Sequence, residues 1–258
     1  MRYETLQYGL DAGVATVTLA RPETRNALDA QMRSDLAHAF RRAGGEARAV
    51  LLTGLGGDFC AGQSLGDAAR IRDIQPARTQ REEAAPLLEA MAECGAPILA
   101  AVEGLAAGAG AALALAADVT LADARASFAF PGAQLGLTPD AGLSWLLTQA
   151  AGPARARALL MLGEPIPAEE AAAMGLIWRV APDGFLAVEA QDVARRLAEG
   201  PTQAHLAVRR LVREAAAAGF DAQVEAEAEA LDSAGRSRDW LEGAVAFVEG
   251  RAPFFRGR

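Results

Sequence analysis

The stretch PILAAVEGLAAGAGAALALAADVTLA, Pro97 to Ala122, decides the fold class. It opens on Ile98 to Val102 and closes on Val119 to Ala122, two short apolar runs rich in Val, Ile and Leu. Runs of this length read as strands buried on both faces. Between them the Gly- and Ala-rich segment Gly104 to Gly110 feeds an apolar helical pattern that ends near Ala117. Strand, loop, helix and strand in this order imply an α/β unit whose sheet is covered by helices. The fourteen uncharged residues from Gly104 to Ala117, between Glu103 and Asp118, are too few to cross a bilayer.

The same logic extends toward both termini. Ala15, Val17 and Leu19 alternate with Thr16 and Thr18, the period of a half-buried strand, and Arg21-Pro22 ends it. Asn26 is expected as the N-cap of a helix, with Asp29 three positions on and Leu28, Met32, Leu36 and Phe40 sharing one face. Ala49 to Thr53 is a further buried strand, and the pattern recurs to about Arg179 without a fixed-period repeat. From Gly184 strand signals stop. Three amphipathic patterns follow, through Ala204, Val208, Leu211 and Ala215, then Phe220, Val224 and Leu231, then Leu241, Ala244 and Val248, the first starting at Pro201.

Composition narrows the function. Of 258 residues 25 are basic and 33 acidic, a net charge of −8, and every basic residue is arginine. Lysine Schiff-base and P-loop chemistry are excluded. With 52% hydrophobic and 22% charged residues the chain closes a core and does not resemble a disordered one. An acidic balance without basic blocks argues against nucleic-acid and anionic-membrane partners, so an anionic ligand must meet arginines locally. Cys60 and Cys94 form no CxxC or disulfide framework, and the start, MRYETLQYG, lacks the pattern of a secretory signal. A reducing, cytoplasmic location is expected.

Two loops place bare backbone N–H groups near expected helix starts: Phe59 to Leu65 (FCAGQSL) and Gly104 to Gly110. Small side chains let a ligand approach the main chain, and helix N-termini add positive partial charge, so the pair could hold an oxyanion. The same glycines and alanines equally suit tight helix-on-sheet packing, and spacing alone leaves both readings open. A dinucleotide site fails, because Gly108-x-Gly110 lacks its third glycine at Leu113. Asp140, ahead of Leu143 to Ala150, reads as a helix cap or as an acid/base. His38 and His205 fall on helices as surface residues, which weakens a triad with Ser64. Cys60 and Trp178 read as packing residues and Asp118 as structural, and no cluster has metal-ligand spacing.

Four strings, RPETRNAL (Arg21 to Leu28), FCAGQSL, the Pro97 to Ala122 stretch and FAFPGAQLGLTPDAG (Phe128 to Gly142), together resemble the crotonase, or enoyl-CoA hydratase/isomerase, superfamily. The resemblance covers almost the whole chain in the family's order. GLTPDAG, LGEPIPAEEAAAMGLIWRV (Leu162 to Val180) and FVEGRAPFFRGR (Phe247 to Arg258) look most like the bacterial phenylacetate-pathway isomerases of ring-1,2-epoxyphenylacetyl-CoA. The resemblance implies a spiral of ββα units over residues 1–200 and a helical oligomerisation region over 201–258, forming a homotrimer or a dimer of trimers. It also implies an acyl-CoA thioester substrate, whose CoA is the only cofactor-like group. Backbone amides of Gln63 and Ala109 match the family's oxyanion hole, and Ala27, Ala61, Gly62, Leu65, Gly108, Gly132 and Leu137 match substrate-lining positions. Arg25 matches a family position near the pantetheine-adenine bend of CoA, and Arg256 or Arg258 in the tail could reach the phosphates of a neighbouring subunit's CoA.

Family hydratases use two glutamates, and the matching positions here hold Ala112 and Gly132. Family isomerases place a carboxylate at the position of Asp140. Leu135, Leu137, Leu143 and Trp145 are its expected apolar neighbours, a setting that raises a carboxyl pKa. The expected activity is thus an acyl-CoA isomerisation, either of the phenylacetyl-CoA epoxide or of 3-enoyl to 2-enoyl-CoA. The alternatives are hydration, thioester hydrolysis, a non-catalytic acyl-CoA-binding protein, and a serine hydrolase acting through Ser64 or Ser144. The chain departs from the subgroup at Ser64, where Asp is usual, at Leu143, where a second Gly follows the acid, and in its lack of lysine.

Overall fold

In the computed structural model, residues 3–66 and 71–257 are described. Strands β1 (Leu6–Asp11) and β2 (Val14–Leu19) form a hairpin and lead into helix α1 (Ala30–Glu46) and strand β3 (Ala49–Gly54). A short helix α2 (Pro76–Thr79) runs through a π turn (Gln80–Ala84) into α3 (Ala85–Ala92). Next come β4 (Ile98–Val102), β5 (Leu105–Ala107), α4 (Ala109–Leu115), β6 (Val119–Asp123) and β7 (Ser127–Ala129). Helix α5 (Leu143–Leu162), bent at Gly152-Pro153, is followed by β8 (Ile166–Pro167), α6 (Ala168–Ala173), β9 (Arg179–Ala181) and α7 (Leu186–Glu199). The chain ends in α8 (Thr202–Ala215), α9 (Phe220–Gly235) and α10 (Arg238–Glu249).

One sheet has the order β1-β2-β3-β4-β6-β9, parallel except for the β1–β2 hairpin, and a second has the order β5-β7-β8. This mixed α/β architecture agrees with the fold class expected from the strand runs. Alternation sorts the large sheet's side chains onto two faces. Val50, Leu52, Ile98 and Ala100 face α1, α3 and α4, while Ala49, Leu51, Leu99 and Ala101 face Leu186, Ala190, Val193 and Ala194 of α7. Being covered twice is why β4 reads as an unbroken apolar run, with all five residues buried.

Helix α1 begins later than expected. Asp29 is its N-cap, accepting from the Met32 N–H at 2.8 Å, an interaction worth about 1 kcal/mol. Asn26 is instead fully buried in the left-handed region (φ 57), a conformation Asn tolerates better than most residues. Its side chain donates to Leu55 O and Asp58 O and accepts from Arg21 N–H, tying three segments together. Trp178 is likewise not a core residue: it is half exposed, with the Arg179 guanidinium stacked on its ring.

The C-terminal helices leave much of their apolar surface open. Val212, Phe220, Leu231, Leu241, Phe247 and Val248 are all exposed, Phe247 by 88%. The extended tail is nonetheless fixed: Asp239 accepts from the Arg256 and Gly257 N–H groups, and Arg48 donates to Phe255 O. Arg258 lies outside the described residues. Among the described residues no helix is long and apolar enough to cross a membrane.

Candidate active site

The two sequence-singled loops leave the carboxyl ends of adjacent parallel strands, β3 and β4, where ligand sites of α/β sheets form. They are stitched together by main-chain bonds. Cys60 N–H donates to Leu105 O at 3.0 Å, and Ala107 N–H donates to Cys60 O at 2.9 Å. The approach leaves no room for side chains. A Cβ on Gly110 would lie 2.4 Å from Cys60 O, and one on Gly62, at φ 89, would lie 2.5 Å from Ala107 O and 3.5 Å from Ala109 N. Residues 62 and 109 therefore sit side by side because both loops are built of the smallest residues.

The direction of the amides follows from the pairing. Leu28 N–H donates to Gly62 O at 2.7 Å and Ser64 N–H donates to Leu28 O at 2.9 Å, a parallel bridge that turns the Gln63 N–H away from Leu28. Ala109 is the first residue of α4, so its N–H has no partner within the helix. Among the described residues neither amide donates to a backbone carbonyl outside regular elements. Gly108 N–H, by contrast, is bonded to Ala129 O at 2.9 Å, which links the second loop to β7 and the FAFPGAQLGLTPDAG segment beyond it.

That segment ends in a turn holding Asp140. Ala141 (φ 47) and Gly142 (φ 76) are both left-handed, and α5 begins after Gly142 without a side-chain cap. The carboxyl of Asp140 thus does not cap the helix, and its carbonyl accepts from the Leu143 N–H at 2.9 Å. Burial raises the Asp140 pKa, opposed by its own backbone N–H and by the Arg33 guanidinium. Of the expected apolar neighbours only Leu143 is buried. Leu135, Leu137 and Trp145 are exposed by 57%, 45% and 47% in the single chain, against the burial expected of them. Gly132 and Leu137 close their own loop, Leu137 N–H donating to Gly132 O at 2.8 Å. Ala112 is fully buried in α4.

Arg25 is not a free cation. Its Nε and Nη2 donate to Asp58 at 2.6 and 3.2 Å, and this guanidinium holds the Asp58 carboxyl below its usual range. Its carbonyl accepts from Ala61 N–H at 2.9 Å, so Arg25, Ala27 and Ala61 form one strip beside the first loop, with Leu65 exposed at its end. Cys60 is fully buried, donates its thiol to Asn26 O, and burial pushes its pKa up to about 12, as befits a packing residue. Asp118 is structural as expected, accepting from Ile98 N–H and pairing with Arg209. Among the described residues neither histidine hydrogen-bonds a serine; His38 pairs with Tyr3.

Two participants were not singled out from sequence. Arg33 is 3% exposed, pairs with Glu83 at 3.0 Å and donates to Gln63 Oε1; Gln80 Oε1 accepts from Ala141 N–H at 2.8 Å. Arg33 stands three residues before Leu36, on the apolar face of α1, and that placement was its one readable signal. A groove of about 780 Å³ lined by Trp240, Phe247 and Phe255 lies elsewhere, among α8, α9 and α10.

A family model for enoyl-CoA hydratase/isomerase matches residues 9–258. A probable enoyl-CoA hydratase of Rhodobacter capsulatus is 46% identical over the full length of both chains. The 1,2-epoxyphenylacetyl-CoA isomerase of Escherichia coli K12 is 38% identical over 96% of this chain and 97% of its own. A crystal structure named for the enoyl-CoA hydratase/isomerases, from Mycobacterium abscessus, superimposes with a TM-score of 0.92 at 40% identity, covering 98% of this chain and all of the other. The crotonase resemblance drawn from the four sequence strings thus holds over the whole chain, and the protein belongs to the enoyl-CoA hydratase/isomerase family.

Proposed function

We propose that the protein is an acyl-CoA isomerase in which the Gln63 and Ala109 N–H groups hold the thioester carbonyl and Asp140 moves the proton. Removing a proton from the α-carbon of a thioester drives negative charge onto the carbonyl oxygen. Two fixed donors aimed at that oxygen stabilise the enolate more than the ground state, each contributing about 3 kcal/mol by analogy with other oxyanion holes. With a 3-enoyl-CoA, Asp140 in its ionised form takes a C2 proton, the electron pair moves through the enolate, and the same carboxyl returns the proton at C4. The double bond shifts to C2–C3, and no atom is gained or lost.

The carboxylate inventory carries this reading. Ala112 and Gly132 stand where family hydratases have glutamates, which leaves Asp140, with its raised pKa and uncapped carboxyl, as the acid/base. A second isomerase substrate, the epoxide of phenylacetyl-CoA, is favoured by the 38% identity to the Escherichia coli isomerase. Hydration is the rival reading, favoured by the 46% identity to the probable enoyl-CoA hydratase of Rhodobacter capsulatus. The open apolar faces of α8 to α10 favour assembly through the C-terminal helices into trimers. CoA phosphates would then be met by arginines, with Arg25 already engaged by Asp58 and Arg256 on the tail as candidates.

The test is a panel of 3-enoyl, 2-enoyl and aromatic epoxide CoA thioesters with product mass detection. Isomerisation leaves the mass unchanged and is lost in Asp140→Asn. A product heavier by one water, formed at a comparable rate, would assign hydration instead.

A further inference from the structure

The π turn Gln80–Ala84 touches both halves of the candidate site. At its first residue, Gln80 Oε1 accepts from the N–H of Ala141 at 2.8 Å, the main-chain group next to Asp140. Three residues on, Glu83 Oε2 meets Arg33 Nη1 at 3.0 Å, and the other Nη of Arg33 donates to Gln63 Oε1. Gln63 is in turn fastened by its Nε2 donating to Ser64 O at 3.0 Å. Two chains of contact, Gln80–Ala141 and Glu83–Arg33–Gln63, thus leave one helical turn and end on the acid and on the carbonyl-binding loop.

Each chain meets a physical need. Ala141 is a buried, left-handed non-glycine residue, a conformation that persists only where the surroundings over-determine it. The Gln80 oxygen anchors its N–H. Arg33 is a buried cation that requires a fixed counter-ion, and Glu83 supplies it. A π turn inserts an extra residue into a helix, which re-aims its side chains, and such turns cluster at functional sites.

We propose that Gln80 and Glu83 are positioning residues that together set the separation between the Asp140 carboxyl and the Gln63 amide; the proposal rests on the isomerase reading above. The charged group acting on Asp140 among the described residues is Arg33, from α1. Glu83 is the carboxylate paired with that guanidinium, so it sets how much of the Arg33 charge is left uncompensated near Asp140.

Steady-state kinetics of the full chain on a 3-enoyl-CoA, across pH, test this together with amide exchange at Ala141. Gln80→Leu keeps the size but removes the acceptor, and is expected to lower kcat at least about tenfold with KM within about twofold of wild type. Gln80→Glu keeps the acceptor and adds a charge beside Asp140, so it recovers kcat at high pH with the acid limb moved upward. Glu83→Gln leaves the Arg33 charge uncompensated and moves the acid limb downward. Wild-type kcat in Gln80→Leu, a loss matched by lowered melting temperature, or an acid limb fixed in both charge variants would overturn the proposal. Should the wild-type chain isomerise nothing, the isomerase reading fails separately. Ala141 then decides: exchange at least about tenfold faster in Gln80→Leu supports the anchor, and unchanged exchange refutes it.

Discussion

The two halves of the site are held in opposite ways. The proposed carbonyl-binding half is main chain against main chain: Cys60 with Leu105 and Ala107, Leu28 with Gly62 and Ser64, and glycines 62 and 110 packed to within a Cβ of their neighbours. The acid half is a side chain on a left-handed turn, anchored by one glutamine from a distant helix. Under the proposed reading, charge stabilisation is thereby built into backbone geometry that few substitutions can reach, whereas proton transfer depends on one replaceable residue.

The largest effect should come from the acid half. Asp140→Asn is expected to reduce kcat by about 10²–10⁴-fold while acyl-CoA affinity stays near wild type, which titration calorimetry with a saturated thioester checks. A loss of affinity equal to the loss of rate would mean that the two halves are not separable. Next in size is Gly110→Ala in the backbone half. Its Cβ would lie 2.7 Å from both Cβ and Sγ of Cys60 besides the carbonyl contact, so one loop must move, at about 1–3 kcal/mol of stability by denaturant unfolding.

The contrast also has a pH signature. Burial raises the Asp140 pKa in the fold, so the folded chain holds this proton more tightly than the unfolded chain, whose carboxyl titrates near about 3.9. The stability it lends is complete below that value and is lost as pH rises through the raised folded pKa. Asp140→Asn should therefore melt above wild type at neutral pH, and the margin should vanish toward pH ~4. Activity runs the other way, since the base must be ionised, and kcat/KM should fall on the acid side of the raised pKa. The smallest expected effect is Arg25→Ala. Its Asp58 pair is half exposed, so stability should change by no more than about 1 kcal/mol, and a larger rise in the KM for acyl-CoA would assign it to CoA.

Much of this was readable from residue order. The buried strands β3, β4 and β6 announce themselves because both faces are covered, and Gly62, Gln63, Gly108, Ala109 and Asp140 stand in the strings that carry the family resemblance. The small sheet was not readable, since β5 and β7 have three residues each and β8 two, too short for any period to emerge. Asn26 resembles a cap by composition, and only its contacts with Leu55 and Asp58 reveal a cross-link. Gln80 and Glu83 were invisible for the same reason. Their partners lie 61 and 50 positions away, and no local rule connects them. Leu135, Leu137 and Trp145 are exposed although their type suggests burial, because hydrophobic type predicts burial only on average.

The most direct measurement is a crystal structure of Asp140→Asn with a bound 3-enoyl-CoA. The account predicts the thioester oxygen within about 2.7–3.1 Å of both the Gln63 and Ala109 nitrogens, and the side chain at position 140 facing C2 and C4 of the acyl group. A carbonyl bound away from those two amides, or a side chain at position 140 directed into solvent, would contradict it.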